Sequence, residues 1–114
     1  MPSFKRDDRT FKHYEDTKMV VYFVVLLKIT DADRFMECFQ AVMLLIEQRG
    51  GRLIAQGIPK VIEVSNTGSM SAMFEYPSRQ AFIDYWHSKE YAEIRKLREG
   101  AVDFQGVIVA GVAA

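Results

Sequence analysis

The chain has 114 residues, 49% of them hydrophobic and 26% charged, so one domain with an ordinary core accounts for it without staples. Fifteen Lys and Arg cancel fifteen Asp and Glu, which excludes the one-signed field that recruits nucleic acid or an anionic membrane. A single cysteine, Cys38, excludes an internal disulfide and suits a reducing compartment.

Residues 1–18, "MPSFKRDDRTFKHYEDTK", are polar and of mixed charge, with no helical or strand period and no apolar signal region. They read as an N-terminal arm ahead of one domain at 19–114. Phe4, Phe11 and Tyr14 are the arm residues able to dock on a partner subunit, and His13 carries no role. The next run, "MVVYFVVLLKI", is 11 residues long, short of the ~20 that a membrane helix needs. A cytoplasmic protein without a membrane segment is expected.

Val20 to Ile29 is a strand by its Val, Tyr and Phe content. Val21, Phe23, Val25, Leu27 and Ile29 form a uniformly apolar face, whereas the other parity carries Tyr22 and Lys28. The uniform face belongs under helices. "TDAD" at 30–33 places Thr30 three residues ahead of Asp33, a capping-box pattern. The helix that follows is predicted to run to about Arg49, with Phe35, Met36, Phe39, Val42, Met43 and Ile46 in one stripe and Leu44 opposite. Gly50-Gly51 is its stop.

"RLIAQG" and "KVIEV" read as two strand pieces divided at Pro59, "SNTGS" as a turn, and "MSAMFEY" as the next strand. On that strand Ala72, Phe74 and Tyr76 share one face, and Ser71, Met73 and Glu75 the other. Pro77-Ser78 opens a helix with Ala81, Phe82, Tyr85 and Trp86 inward; Lys89 to Arg98 forms another, with Tyr91, Ile94 and Leu97 inward. "DFQGVIVAGV" is the last strand, weakened by Gly106 and Gly111. The order β-α-β-β-α-β, with its second helical region in two parts, is the ferredoxin-like α+β arrangement: one antiparallel sheet with helices on one face. The other face, with Tyr22, Val24 and Leu26, lacks a cover within the chain, and a homodimer is expected to supply it.

The element order, "GGRLIAQG", "FEYPSRQAFIDYWHSKEYAEIRKLREG" and the closing "VIVAGV" together resemble the DUF1330 family, over about residues 20–112. The pattern from Tyr76 to Arg98 is the most specific part. The resemblance implies a ferredoxin-like protomer of the dimeric α/β-barrel superfamily, a homodimer whose sheets form a barrel. It implies no defined activity, since that superfamily holds cofactor-free monooxygenases, isomerases, haem-degrading enzymes and proteins of no known reaction. The sequence departs from the family pattern at His87, where Asp or Asn precedes the serine, and at "GSM", where a basic residue precedes the third strand.

His87 is the candidate catalytic residue, because only histidine titrates near neutrality unaided, and Trp86 beside it would exclude water. The plainer role is to end one helix while Ser88 caps the next. Arg98 falls close to Tyr91 and Ile94 on a helical wheel and leans inward. It then needs an anion: a ligand carboxylate, or an internal salt bridge to Glu75 or Glu63, the latter preferred. Arg95 sits further round, toward solvent. Glu75, Tyr22, Tyr85, Tyr91 and Trp86 complete the candidate ligand-binding set, although aromatics at such spacings are more often core. No metal ligand spacing and no phosphate loop is present, so neither a metal nor a cofactor is expected. Two functions remain: a dimeric binding or accessory module for a small organic ligand, which is favoured, and a cofactor-free enzyme of the monooxygenase or isomerase type with His87 as general base.

Overall fold

The apolar run becomes β1 (Val21–Ile29), and the computed structural model, which describes residues 19–63 and 68–112, places it inside a four-stranded sheet. The arm at 1–18 with His13 lies outside the described residues, as do 64–67. After β1 come α1 (Ala32–Gln48), β2 (Arg52–Gly57), β3 (Met70–Tyr76), α2 (Arg79–Trp86), α3 (Lys89–Arg98) and β4 (Val102–Ala110). The sheet order is β2-β3-β1-β4, all neighbours antiparallel. Val21 therefore faces Tyr76 on one side and Ala110 on the other. This is the predicted ferredoxin-like β-α-β-β-α-β order.

The barrel implied by the resemblance is absent. The sheet is open, with β2 pairing only β3 and β4 pairing only β1. The two edge strands, β2 and β4, do not meet, so the sheet does not close. The six-residue β2 also stops short, two residues ahead of Pro59.

Strand parity sorts the two faces as expected. Val21, Phe23, Val25 and Leu27 of β1 are buried with Ala72, Phe74 and Tyr76 of β3, under Phe35 and Ile46 of α1, Phe82 and Tyr85 of α2 and Tyr91 of α3. Burying each such side chain contributes about 1.5–3 kcal/mol, so this layer supplies most of the stability. On the far side Tyr22, Val24 and Leu26 are half-buried, while Val107 and Val109 are 56% and 52% exposed.

Local signals at the helix ends hold with two shifts. Asp31, not Thr30, is the N-cap of α1: its carboxylate accepts from the Arg34 N–H at 3.2 Å, while the Thr30 hydroxyl donates to the Gly100 carbonyl. Gly50 takes φ 87° just past the helix, the left-handed stop expected of it. The inward stripe is rotated: Cys38 and Leu45 are buried and Met36 is 49% exposed, whereas Leu44 faces out as expected. The rotation follows from α1 packing on α3 as well as on the sheet, where the Cys38 thiol lies 3.9 Å from the Ile94 carbonyl and Arg34 Nη2 donates to the Lys96 carbonyl at 3.0 Å.

The second strand piece does not form in the described part of "KVIEV", residues 60–63. Gly57 already pairs with Ser71, one residue from the start of β3, so no ladder remains beyond the kink for it to join. Ile58 and Ile62 are left almost fully exposed. Among the described residues no helix is long and apolar enough to cross a membrane.

Candidate functional site

Ser88 organises the site. Its hydroxyl accepts from the Tyr91 N–H at 3.1 Å as N-cap of α3 and donates to the Tyr85 carbonyl at 2.8 Å, tying the end of α2 to the start of α3. One side chain thus fixes the bend that brings Tyr85, Trp86 and Tyr91 together, with Tyr85 and Tyr91 rings 5.0 Å apart and Trp86 and Tyr91 rings 4.8 Å apart. Glu90 in the same turn is held below its usual range, first by its own backbone N–H and then by Arg49, 3.0 Å away.

Between α2, α3 and β4 lies a cleft of about 500 Å³, lined by Phe23, Phe82, Trp86, Arg95, Arg98, Phe104 and the strand around Gly106. Its volume falls within the range of small-ligand sites. Gly106 forms part of the floor: a Cβ there would come within 2.9 Å of the rings of both Phe23 and Phe104. The absent side chain leaves room for those two rings. Arg98 Cζ stands 4.2 Å from the Phe104 ring centroid and 6.0 Å from that of Trp86, and Arg95 Cζ stands 4.7 Å from Trp86 and 5.1 Å from Tyr91. Cation–π attraction of about 0.5–2 kcal/mol each holds the guanidiniums on the rings. It does not supply acceptors: the Nε of each arginine is buried without a hydrogen-bond partner among the described residues.

Phe23, Arg98 and Phe104 also wall a second, smaller and narrower space of about 60 Å³ between α1 and the sheet. Its only polar side chains are Cys38, Tyr85, Tyr91 and Arg98. Burial pushes the Cys38 thiol and the Tyr91 hydroxyl up, and the Arg98 charge pulls both part of the way back. Tyr85 is driven far above the usual tyrosine range, chiefly by burial. All three are neutral near pH 7, and the Tyr91 hydroxyl accepts a hydrogen bond from the Arg95 side chain. Arg98 is the group shared by the open cleft and the narrower space.

Residues 20–112 match the family described as "Domain of unknown function (DUF1330)". The chain belongs to that family. Solved structures similar to this DUF1330 chain include a protein of unknown function from Rhodopseudomonas palustris, 18% identical with a TM-score of 0.74, covering 96% of this chain and 95% of that one. A dimeric ferredoxin-like protein of unknown function from Thermobifida fusca is 14% identical at a TM-score of 0.59, covering 83% and 93%. SnoaB, a cofactor-independent oxygenase from Streptomyces nogalater, is 10% identical at a TM-score of 0.64, covering 84% and 96%. At these identities the likeness is one of fold. No curated protein matches the chain.

Of the residues expected to bind ligand, the DUF1330 fold brings Arg98, Trp86, Tyr85 and Tyr91 together and leaves the others apart. Glu75 and Tyr22 are cross-strand neighbours on the far side of the sheet, where Glu75 accepts from Arg52 Nε at 2.8 Å. The salt bridge preferred for Arg98 is therefore not made: Glu75 is taken by Arg52, and Glu63 is exposed beyond the end of β2. His87 is exposed and ends α2, its N–H donating to the Ile83 carbonyl at 2.9 Å, and it lines neither the cleft nor the narrower space. Arg95, expected toward solvent, instead reaches the cleft. Its signal was the spacing of four from Tyr91, which stacks the two side chains on one helix face. Gly106 was read only as a weakness of the strand.

Proposed function

We propose that this DUF1330 chain works as a homodimer that holds a compact organic molecule in the Trp86–Arg98 cleft and acts on it without a cofactor. The observation that carries the reading is Arg98: a permanent cation, on an aromatic wall, with a buried donor left unpartnered. Such a group stabilises an oxyanion, because the donor is fixed in place before charge develops. The chemistry that fits is loss of a proton from an acidic C–H or O–H, with Arg98 holding the enolate or phenolate oxygen. The proton leaves to solvent through the open mouth of the cleft, and His87 keeps its place at the end of α2. The likeness to a cofactor-independent oxygenase supports this over a purely accessory module.

The second copy packs on the helix-free face, over Tyr22, Val24, Leu26, Met73, Val107 and Val109. An apolar surface of that extent favours self-association, and a dimeric ferredoxin-like neighbour supports it. Native mass spectrometry of the protein at micromolar concentration is expected to give the dimer mass; a monomer overturns this part.

The reaction is tested by following hydrogen–deuterium exchange at the benzylic carbon of phenylpyruvate, with protein freed of metals by chelation. Acceleration by the native chain is expected, with Arg98→Gln lowering it about 10²-fold and His87→Ala leaving it unchanged. Absence of acceleration by the native chain overturns the enzymatic reading; binding without exchange restores the accessory module.

A further inference from the structure

Arg95 and Arg98 lie three residues apart on α3 and both line the one cleft. Two like charges at that spacing repel one another, and partial burial sharpens the cost. Among the described residues the ion pairs run Arg49–Glu90, Arg52–Glu75 and Lys96–Glu93, and none reaches either cleft arginine. Their Nε atoms are both buried and both without an acceptor. The surrounding walls are flat and apolar, with Trp86 and Phe82 rings stacked 5.8 Å apart at 20° and Trp86 and Phe104 6.2 Å apart at 30°. The cleft thus combines two neighbouring guanidiniums that lack a carboxylate among the described residues with an aromatic wall.

We infer that the molecule it takes is a flat, conjugated organic carboxylate. The ring system lies along Trp86 and Phe104, and the carboxylate accepts from the guanidiniums of Arg95 and Arg98. A planar fork on each arginine suits a carboxylate better than a compact ammonium would. A neutral ligand of the same shape leaves both cations without a counter-charge, so discrimination rests on charge rather than on size. The inference rests on the cleft being the ligand site, and it concerns binding, not turnover.

The test is a matched pair of probes, 2-naphthoate and 2-naphthamide, titrated into the native dimer by calorimetry and by the NMR signals of the arginine Nε–H groups. The acid is expected to bind about tenfold or more tightly than the amide, to move the Arg95 and Arg98 signals, and to weaken with added salt. Arg95→Gln is expected to reduce the preference for the acid severalfold while leaving the weak binding of the amide unchanged. Equal affinity for the two probes, or no binding of either, overturns the inference, and both readouts use the native chain. Acid-selective binding without phenylpyruvate exchange upholds the ligand class and overturns only the enzymatic reading.

Discussion

The two sides of β1 differ by a single step along the chain, yet they finish in opposite states. On the helix side Phe23 meets the rings of Phe74, Phe82, Trp86 and Phe104, all within 6.2 Å. One residue on, Val24 lies between Met73 and Val107, half-buried on the helix-free face. The arginines follow the same division. Arg52, on the bare side, is largely exposed and has its carboxylate, whereas Arg98, on the covered side, has aromatic neighbours and no ion pair among the described residues. An exposed charge can always find water or a partner. A charge held against rings keeps its demand for an acceptor, and that contrast marks the covered side as the one built to receive a ligand.

The contrast breaks most visibly in the core. Phe23→Ala is expected to cost about 3–5 kcal/mol in denaturant unfolding, because a buried ring leaves a cavity among four others. Val24→Ala, its neighbour, is expected to cost under about 1 kcal/mol in protomer stability and to show itself in a weaker dimer on dilution. Similar losses for both would remove the distinction between the faces.

Alkaline unfolding sharpens it next. Tyr76, Tyr85 and Tyr91 all lie on the covered side, and burial is the chief cause of each raised pKa. A raised folded-state pKa means that the native state keeps its protons after the unfolded chain has lost them. The stabilisation is therefore complete below about pH 10 and declines above it, by about 1.4 kcal/mol per pH unit for each tyrosine. Tyr76→Phe should flatten that decline and change little at pH 7, since its hydroxyl has no partner among the described residues. A stability that stays level from pH 9 to 12 would contradict this.

The smallest effect concerns the arginines. Arg52→Ala is expected to cost no more than about 1 kcal/mol, as exposed ion pairs do. Arg98→Met, which keeps the bulk and removes the unmatched charge, should leave the empty protein as stable or more so. A large loss in Arg98→Met would mean that the guanidinium is structural.

The strands and helices were legible because parity and periodicity report burial directly. Met70–Tyr76, Lys89–Arg98 and the sorting of Phe23 from Tyr22 are set by neighbours close in sequence. The candidate site was only half legible. Arg98 leaned inward on the wheel, and Ser88 announced the cap that assembles Tyr85 and Tyr91. What remained hidden depends on partners far along the chain. That Glu75 pairs with Arg52 follows from the β2–β3 register, and nothing in either local stretch states that. The open sheet belongs to the same class, since whether edges meet is decided by strand ends rather than by pattern. His87 illustrates the reverse hazard: a titratable residue in a telling motif that the fold turns outward.

The strand order also governs assembly in time. β1 is among the first parts of the domain to be made, yet one of its two lateral partners is β4, with Val21 meeting Ala110 and Ile29 meeting Val102. During synthesis the most apolar run in the chain must wait, half-paired, until residue 110 has emerged. Pairings of such long reach close slowly, and a waiting apolar strand is a surface on which other chains aggregate. Translation pauses beyond residue 76, or truncation before residue 102, should therefore make this protein a client of chaperones.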